Sequence, residues 1–239
     1  DFMSVITQGL LIVIPLIMVS YGVGLTIEFI SAVVRRHEIN EGFLVTGMLY
    51  ALILPPTIPL WQAALGITFG VVIGKEVFGG TGRNFLNPAL TGRVFLFFTF
   101  PTKLSGEVWT KLTVAKEQVI DGYSGATALA VAATADKSEP IQTVMAQAGY
   151  TVKDLFIGLV PGSVGETSVI CVLMGAALLL ITRIGNYRTM LGGLIGAVTM
   201  SWVFNMLAGP ETSAFFELSI SWQLCAGSFA FAIVFMATD

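Results

Sequence analysis

The residues best suited to chemistry lie in VIDGYSGATALAV, residues 119–131: one acid, three hydroxyls and several small residues inside an otherwise very apolar chain. Thr127 stands in a Gly-Ala setting, so its hydroxyl is unhindered, and the small neighbours let a large group approach the backbone closely. The same letters also describe an ordinary turn into a short helix, TALAVAATA, with Ser124 or Thr127 as its cap. On the residues alone both readings stand.

Ionisable groups inside apolar runs are the second source of candidates, since a charge at a helix centre costs about 2.5–3.5 kcal/mol on insertion scales. Glu28, in GVGLTIEFISAVV, lies one turn from Gly24, so backbone and acid share a helix face on which both could meet a ligand. Alternatively Glu28 snorkels towards Arg35 or Arg36. Arg93, in TGRVFLFF, is either a bundle-facing cation or an interfacial one, and Phe95, Phe97, Phe98 and Phe100 fill a core or face lipid. Glu41 and Glu166 each open an apolar helix, where the helix dipole favours an acid, and Ser163 with Glu166 spells an S-x-x-E capping box. Asp239 closes an apolar run and is either an ion ligand or a boundary charge. Sodium is a hard cation that takes oxygen ligands, which acids and carbonyls freed at helix breaks supply.

Several chemistries are disfavoured. FGGTGRN does not complete a dinucleotide fingerprint and no strand precedes it. The one histidine, His37, sits in a charged turn, and no Ser–His–Asp set assembles around it. Cys171 and Cys225 match no zinc or iron–sulfur spacing. A net charge of −3 is too small to imply a nucleic-acid partner.

The elements that would position these residues are membrane helices. The chain is 55% hydrophobic and 11% charged, with a mean hydropathy of +0.84, whereas soluble domains carry about 25% charged residues. Apolar segments fall at 3–34, 42–56, 60–75, 88–101, 166–183, 188–208 and 219–237. LPPTIP separates the second from the third because proline lacks an amide donor. NFLNPAL suits a helix start with Asn87 as cap and Pro88 in the first turn. The expected fold is all-α: a polytopic helical membrane protein, a two-repeat transporter-like bundle with short or interrupted helices. One echo supports a repeat: WQAALGITFGVVIGKE from Trp61 and WQLCAGSFAFAIVFMATD from Trp222 agree at Trp-Gln and at Gly66 with Gly227. Residues 1–239 then form a single transmembrane domain, with a first repeat at 1–101, an outward loop at 102–165 carrying the S-G-A-T motif, and the start of a second repeat at 166–239. With alternating segments, Arg35, Arg36, Lys75, Arg83, Arg183 and Arg188 share one side, which the positive-inside rule makes cytoplasmic. The start at DFMSVITQGLL and the end at IVFMATD read as the bounds of a fragment of a longer subunit.

Taken together, GKEVFGGTGRNFLNPALTGRVFLFF at 74–98 followed by DGYSGATALA at 121–130 resembles the B-subunit of the sodium-translocating NADH:quinone oxidoreductases, Nqr. The D-subunit of the Rnf complex shares S-G-A-T and the GG-x-G-x-N-x-x-NPA pattern, but the wording here is closer to Nqr. The resemblance implies a translocase subunit that passes electrons from NADH through covalent FMN and non-covalent riboflavin to ubiquinone, coupled to sodium export. Thr127 would carry FMN through its phosphate, attached by a flavin transferase that recognises Asp121, Ser124, Gly125 and Ala126. Gly24, Phe95 and Phe97 fall at quinone-related positions, and Glu28 and Asp239 at positions tied to sodium. Leu25 departs from a second glycine common in the family. The other subunits of the complex would be partners, in a bacterial inner membrane with the S-G-A-T loop on the periplasmic side. The rival class is a cofactor-free channel or transporter of similar fold.

Overall fold

The computed structural model describes residues 2–36, 41–84, 86–104 and 126–237. The chain divides into two compact units, residues 1–123 and 124–239. Among the described residues it is all-helical, without strands. Three helical stretches are long and apolar enough to cross a membrane, Ile6–Arg35, Leu60–Phe78 and Tyr187–Leu207, and this is a helical membrane protein.

In the first unit α1 (Phe2–Arg35) is 34 residues long, about 50 Å at 1.5 Å per residue, and so exceeds a ~30 Å hydrocarbon core. Helix α2 (Gly42–Ile53) returns beside it. Two α1 hydroxyls fasten it: Ser20 Oγ donates to the Gly47 carbonyl at 2.7 Å and Tyr21 Oη to the Leu44 carbonyl at 2.6 Å. The proline-rich turn ends α2, and α3 (Leu60–Gly74) follows.

Gly66, Gly70 and Gly74 recur every four residues along α3 and form a small-residue stripe. Helix α4 (Pro88–Thr99) lies in that stripe so closely that a Cβ at Gly92 would stand 2.6 Å from the Gly66 carbonyl oxygen. Tyr50 seals the contact by donating to the Ala63 carbonyl at 2.9 Å. Asn87 caps α4, its Oδ1 accepting from Ala89 N at 3.0 Å and Leu90 N at 3.2 Å, with Pro88 at the first helical position. A single turn, α5 (Pro101–Leu104), ends the described part of the unit.

The second unit begins with three short helices, α6 (Ala128–Thr134), α7 (Ile141–Gln147) and α8 (Val152–Ile157). Each is too short to hold itself in water. They share a core of Ala128, Ala132, Met145, Tyr150 and Leu155 with Leu218 and Trp222. Helices α9 (Val169–Ile181) and α10 (Tyr187–Leu207) are the long apolar elements.

The expected last segment, 219–237, is not one helix. It divides into α11 (Ile220–Cys225), a break at 226–228, a turn α12 (Phe229–Phe231) and a π-helical stretch, Ala232–Met236. Gly227 makes the break with φ +71°, a conformation that costs other residues about 1–2 kcal/mol. The expected capping box also moves. Ser163 Oγ does donate to Glu166 Oε2 at 2.5 Å, but in the turn before the helix. Ser168 takes the cap of α9, accepting from Cys171 N at 3.4 Å, because the backbone becomes helical only at Val169.

Candidate functional site

Thr127 is the N-cap of α6. Its backbone is extended (φ −69°, ψ 160°), and its Oγ1 accepts from Ala130 N at 3.2 Å. The side chain is half-buried. A cap of this kind uses a lone pair of the oxygen and leaves the O–H available to another partner. Ala126 and Ala128 flank it with single methyl groups. The Ala126 carbonyl accepts from the hydroxyl of Tyr150, whose ring lies in the core. Two residues on, Leu129 rests on the helix break: a Cβ at Gly227 would stand 2.5 Å from Leu129 Cδ1. The cap expected at Ser124 or Thr127 falls on Thr127. Its half-buried side chain keeps an O–H that the cap does not use.

That arrangement fits a group attached through oxygen. An ester at Oγ1 keeps a lone pair for Ala130 N, and the alanine methyls leave room beside it. Asp121, Ser124 and Gly125, the rest of the expected recognition motif, lie outside the described residues, as do Asp239 and His37.

A second constellation lies in the first unit, where α1 meets the end of α3. Glu28 and Lys75 are each 3% exposed and form a buried ion pair. Lys75 Nζ also stands 5.9 Å from the centroid of the Phe43 ring. That ring packs directly against Gly24, one turn before Glu28, where any Cβ would collide with it. Gly24 and Glu28 thus come together, as their spacing implies, around Phe43 and Lys75. Arg35 donates to the Glu76 carbonyl and reaches its carboxylate at 3.9 Å, so the charged ends of α1 and α3 coincide.

This decides between the alternatives for Glu28, which is paired with Lys75 and not with Arg35 or Arg36. The reason is tertiary: 47 residues separate the partners, and only the packing of α3 on α1 brings the ammonium to the acid. A sodium ion at Glu28 would share the carboxylate with this resident cation. Among the described residues no group of three or more His, Cys, Asp or Glu is placed to hold a metal.

The aromatic pair separates. Phe95 stacks on Phe69 of α3 with centroids 4.2 Å apart and planes at 11°, while Phe97 is 47% exposed and meets Phe98 edge-on at 5.6 Å. Residues two apart on a helix point in different directions, and neither shares the Phe43 ring that touches Gly24. Arg93 is half-buried. Glu41 stands at the cap position of α2 without a capping hydrogen bond from its side chain.

Sequence reasoning missed Lys75, Tyr150 and a polar knot in the second unit. There Ser201 Oγ donates to Gln223 Oε1 at 2.7 Å, and Gln223 Nε2 donates to the Leu218 carbonyl at 2.8 Å. Asn205 Nδ2 donates to the carbonyls of Phe216 and Leu218 at 2.7 and 2.9 Å. The available signal was the presence of amides inside apolar helices, where such groups need partners.

Comparison with known proteins adds to this geometry. The profile described as the NQR2, RnfD, RnfE family matches residues 2–239. The chain is 53% identical over 227 residues to the Na(+)-translocating NADH-quinone reductase B-subunit of Chromohalobacter salexigens, covering 95% of this chain and 52% of that protein. It is 50% identical over 233 residues to the protein of the same name from Azotobacter vinelandii, covering 97% and 54%. With that of Pseudomonas aeruginosa (strain LESB58) the identity is 47% over 235 residues, covering 98% and 55%. The chain spans about half the length of these curated relatives.

Proposed function

The chain belongs to the NQR2, RnfD, RnfE family, and from that membership we propose that it is the flavin-bearing part of the membrane-embedded B-subunit of a sodium-translocating NADH:quinone reductase. The observation that carries the reading is Thr127: a half-buried residue whose Oγ1 accepts from Ala130 N, preceded by a carbonyl bonded to Tyr150 and flanked by methyl groups, in the fourth position of S-G-A-T. FMN is attached there through its phosphate, and it supplies the electron-carrying chemistry that no side chain of this protein has. A separate flavin transferase makes the bond and reads Asp121, Ser124, Gly125 and Ala126.

The protein's own residues bind, orient and exclude water. Ala126 and Thr127 are half-buried, and Ala128 beside them belongs to the packed core. Riboflavin, held without a covalent bond, would supply the next electron-carrying group towards ubiquinone, for which Gly24, Phe95 and Phe97 would have quinone-related roles. The other subunits of the complex oxidise NADH. Glu28 and Asp239 serve sodium export. The complex lies in a bacterial inner membrane, with Thr127 on the periplasmic side. Relatives about half identical to this chain carry the Nqr B-subunit name, which favours this reading over an Rnf-type D-subunit.

Co-expression with the transferase tests it. The denatured parent protein fluoresces as a flavoprotein in a gel and Thr127→Leu does not. A dark parent band beside a demonstrably active transferase removes the cofactor and returns a flavin-free ion transporter to consideration.

A further inference from the structure

We infer that Tyr150 is a positioning residue for the group carried by Thr127, acting through the Ala126 carbonyl to set the direction in which that group leaves the protein surface. The inference rests on the reading that Thr127 bears a covalent flavin.

Tyr150 is fixed before it touches the site. Helix α7 ends in a left-handed glycine, Gly149 at φ +79°. Tyr150 N donates to the Met145 carbonyl at 2.9 Å, and Gly149 N donates to the Ala146 carbonyl at 3.0 Å. This closing pattern allows only one course for the chain and brings the residue after the glycine back onto the last helical turn. The Tyr150 ring enters the core beside Met145, Leu155 and Trp222 and is 7% exposed. Its hydroxyl is then aimed at the Ala126 carbonyl, 24 residues earlier.

The carbonyl of Ala126 and the amide of Thr127 belong to one planar peptide unit. Holding that oxygen therefore holds the plane from which Thr127 projects. Between that plane and an attached group lie φ of Thr127, set at −69° where α6 begins, χ1, stiff in a β-branched side chain and restrained by Ala130 N on Oγ1, and the Cβ–Oγ1 bond. Leu129 against Gly227 stops the short α6 from rolling. Of these restraints, the Tyr150 hydroxyl is the one that a single-atom deletion removes while the ring stays in the core.

The test uses the full-length protein co-expressed with its flavin transferase, purified in detergent and freed of dissociable flavin, so that emission comes from the covalent group alone. Tyr150→Phe is expected to carry the parent's flavin load by in-gel fluorescence, while its time-resolved flavin anisotropy decays faster. The midpoint potential of that flavin is expected to shift as well. Thermal unfolding followed by tryptophan emission verifies that the variant is folded. Parental anisotropy and potential in a loaded, folded Tyr150→Phe would overturn the positioning role and leave Thr127 standing. Loss of loading in that variant would also overturn it, since the hydroxyl would then act on attachment. An unloaded parent would instead remove the reading on which the inference rests.

Discussion

Trp61-Gln62 opens a helix that runs unbroken for 15 residues, whereas Trp222-Gln223 opens one that stops after Cys225, 6 residues long, and resumes beyond Gly227. The two stretches share a Trp, a Gln and a Gly at matching offsets and use them differently. Gly66 stays helical and lets α4 approach the backbone of α3. Gly227 takes a left-handed conformation and lets Leu129 of α6 into the break. Gln62 Oε1 is buried without a hydrogen-bond partner among the described residues, whereas Gln223 is bonded at both ends of its amide. The same letters thus build a continuous packed span in one unit. In the other they build a helix start to which the segment bearing Thr127 is fastened. Helix packing alone determines the first use. The second needs a left-handed residue and a satisfied amide, so it is the more fragile to substitution.

The largest expected effect tests the first unit. Lys75→Met leaves the Glu28 carboxylate buried without its cation and should cost about 3–5 kcal/mol, read as a lowered unfolding temperature of the detergent-solubilised protein. A Glu28→Gln, Lys75→Met double variant should recover most of that loss. If the single variant were as stable as the parent, the pair would not be buried as described.

Next comes the fragile helix start. Gln223→Leu strands the Ser201 hydroxyl and removes a donor from the Leu218 carbonyl, at a cost of about 1–3 kcal/mol. Gly227→Ala should cost about 1–2 kcal/mol for its positive φ alone, and more from the collision with Leu129. Both are checked by the same unfolding measurement. Thr127→Val removes the cap of α6 for about 1 kcal/mol while abolishing covalent flavin, so cofactor loss would far outrun stability loss. The smallest effect is the sharpest contrast. Gln62→Leu deletes an unpartnered buried acceptor and should be close to neutral or slightly stabilising. Equal costs at Gln62 and Gln223 would dissolve the comparison.

Much of this fold was legible because apolar length and helix punctuation are local signals. Asn87-Pro88 and the run to Arg35 place their helix ends within a residue or two, and LPPTIP places the end of α2 within three. Thr127 as the cap of a short helix could be read from its hydroxyl and the alanines after it. What stayed hidden depends on residues far apart in the chain. Glu28 has cations seven and eight residues away that look like partners, yet α3 delivers Lys75 instead. The break at Gly227 cannot be told from the unbroken helix at Gly66 by the glycine itself, since only Leu129 and α6 give the bend its packing. Tyr150 carried no motif at all. Its role comes from a helix ending that turns it back under Ala126.

The most direct test of the central claim is peptide mass mapping of the full-length protein from cells that express an active flavin transferase. The account predicts that the peptide spanning Thr127 is heavier by one FMN less one water, that fragmentation places the addition on Thr127, and that Thr127→Leu yields only the unmodified mass. An unmodified Thr127 peptide in the parent, from cells whose transferase loads another acceptor, would contradict it.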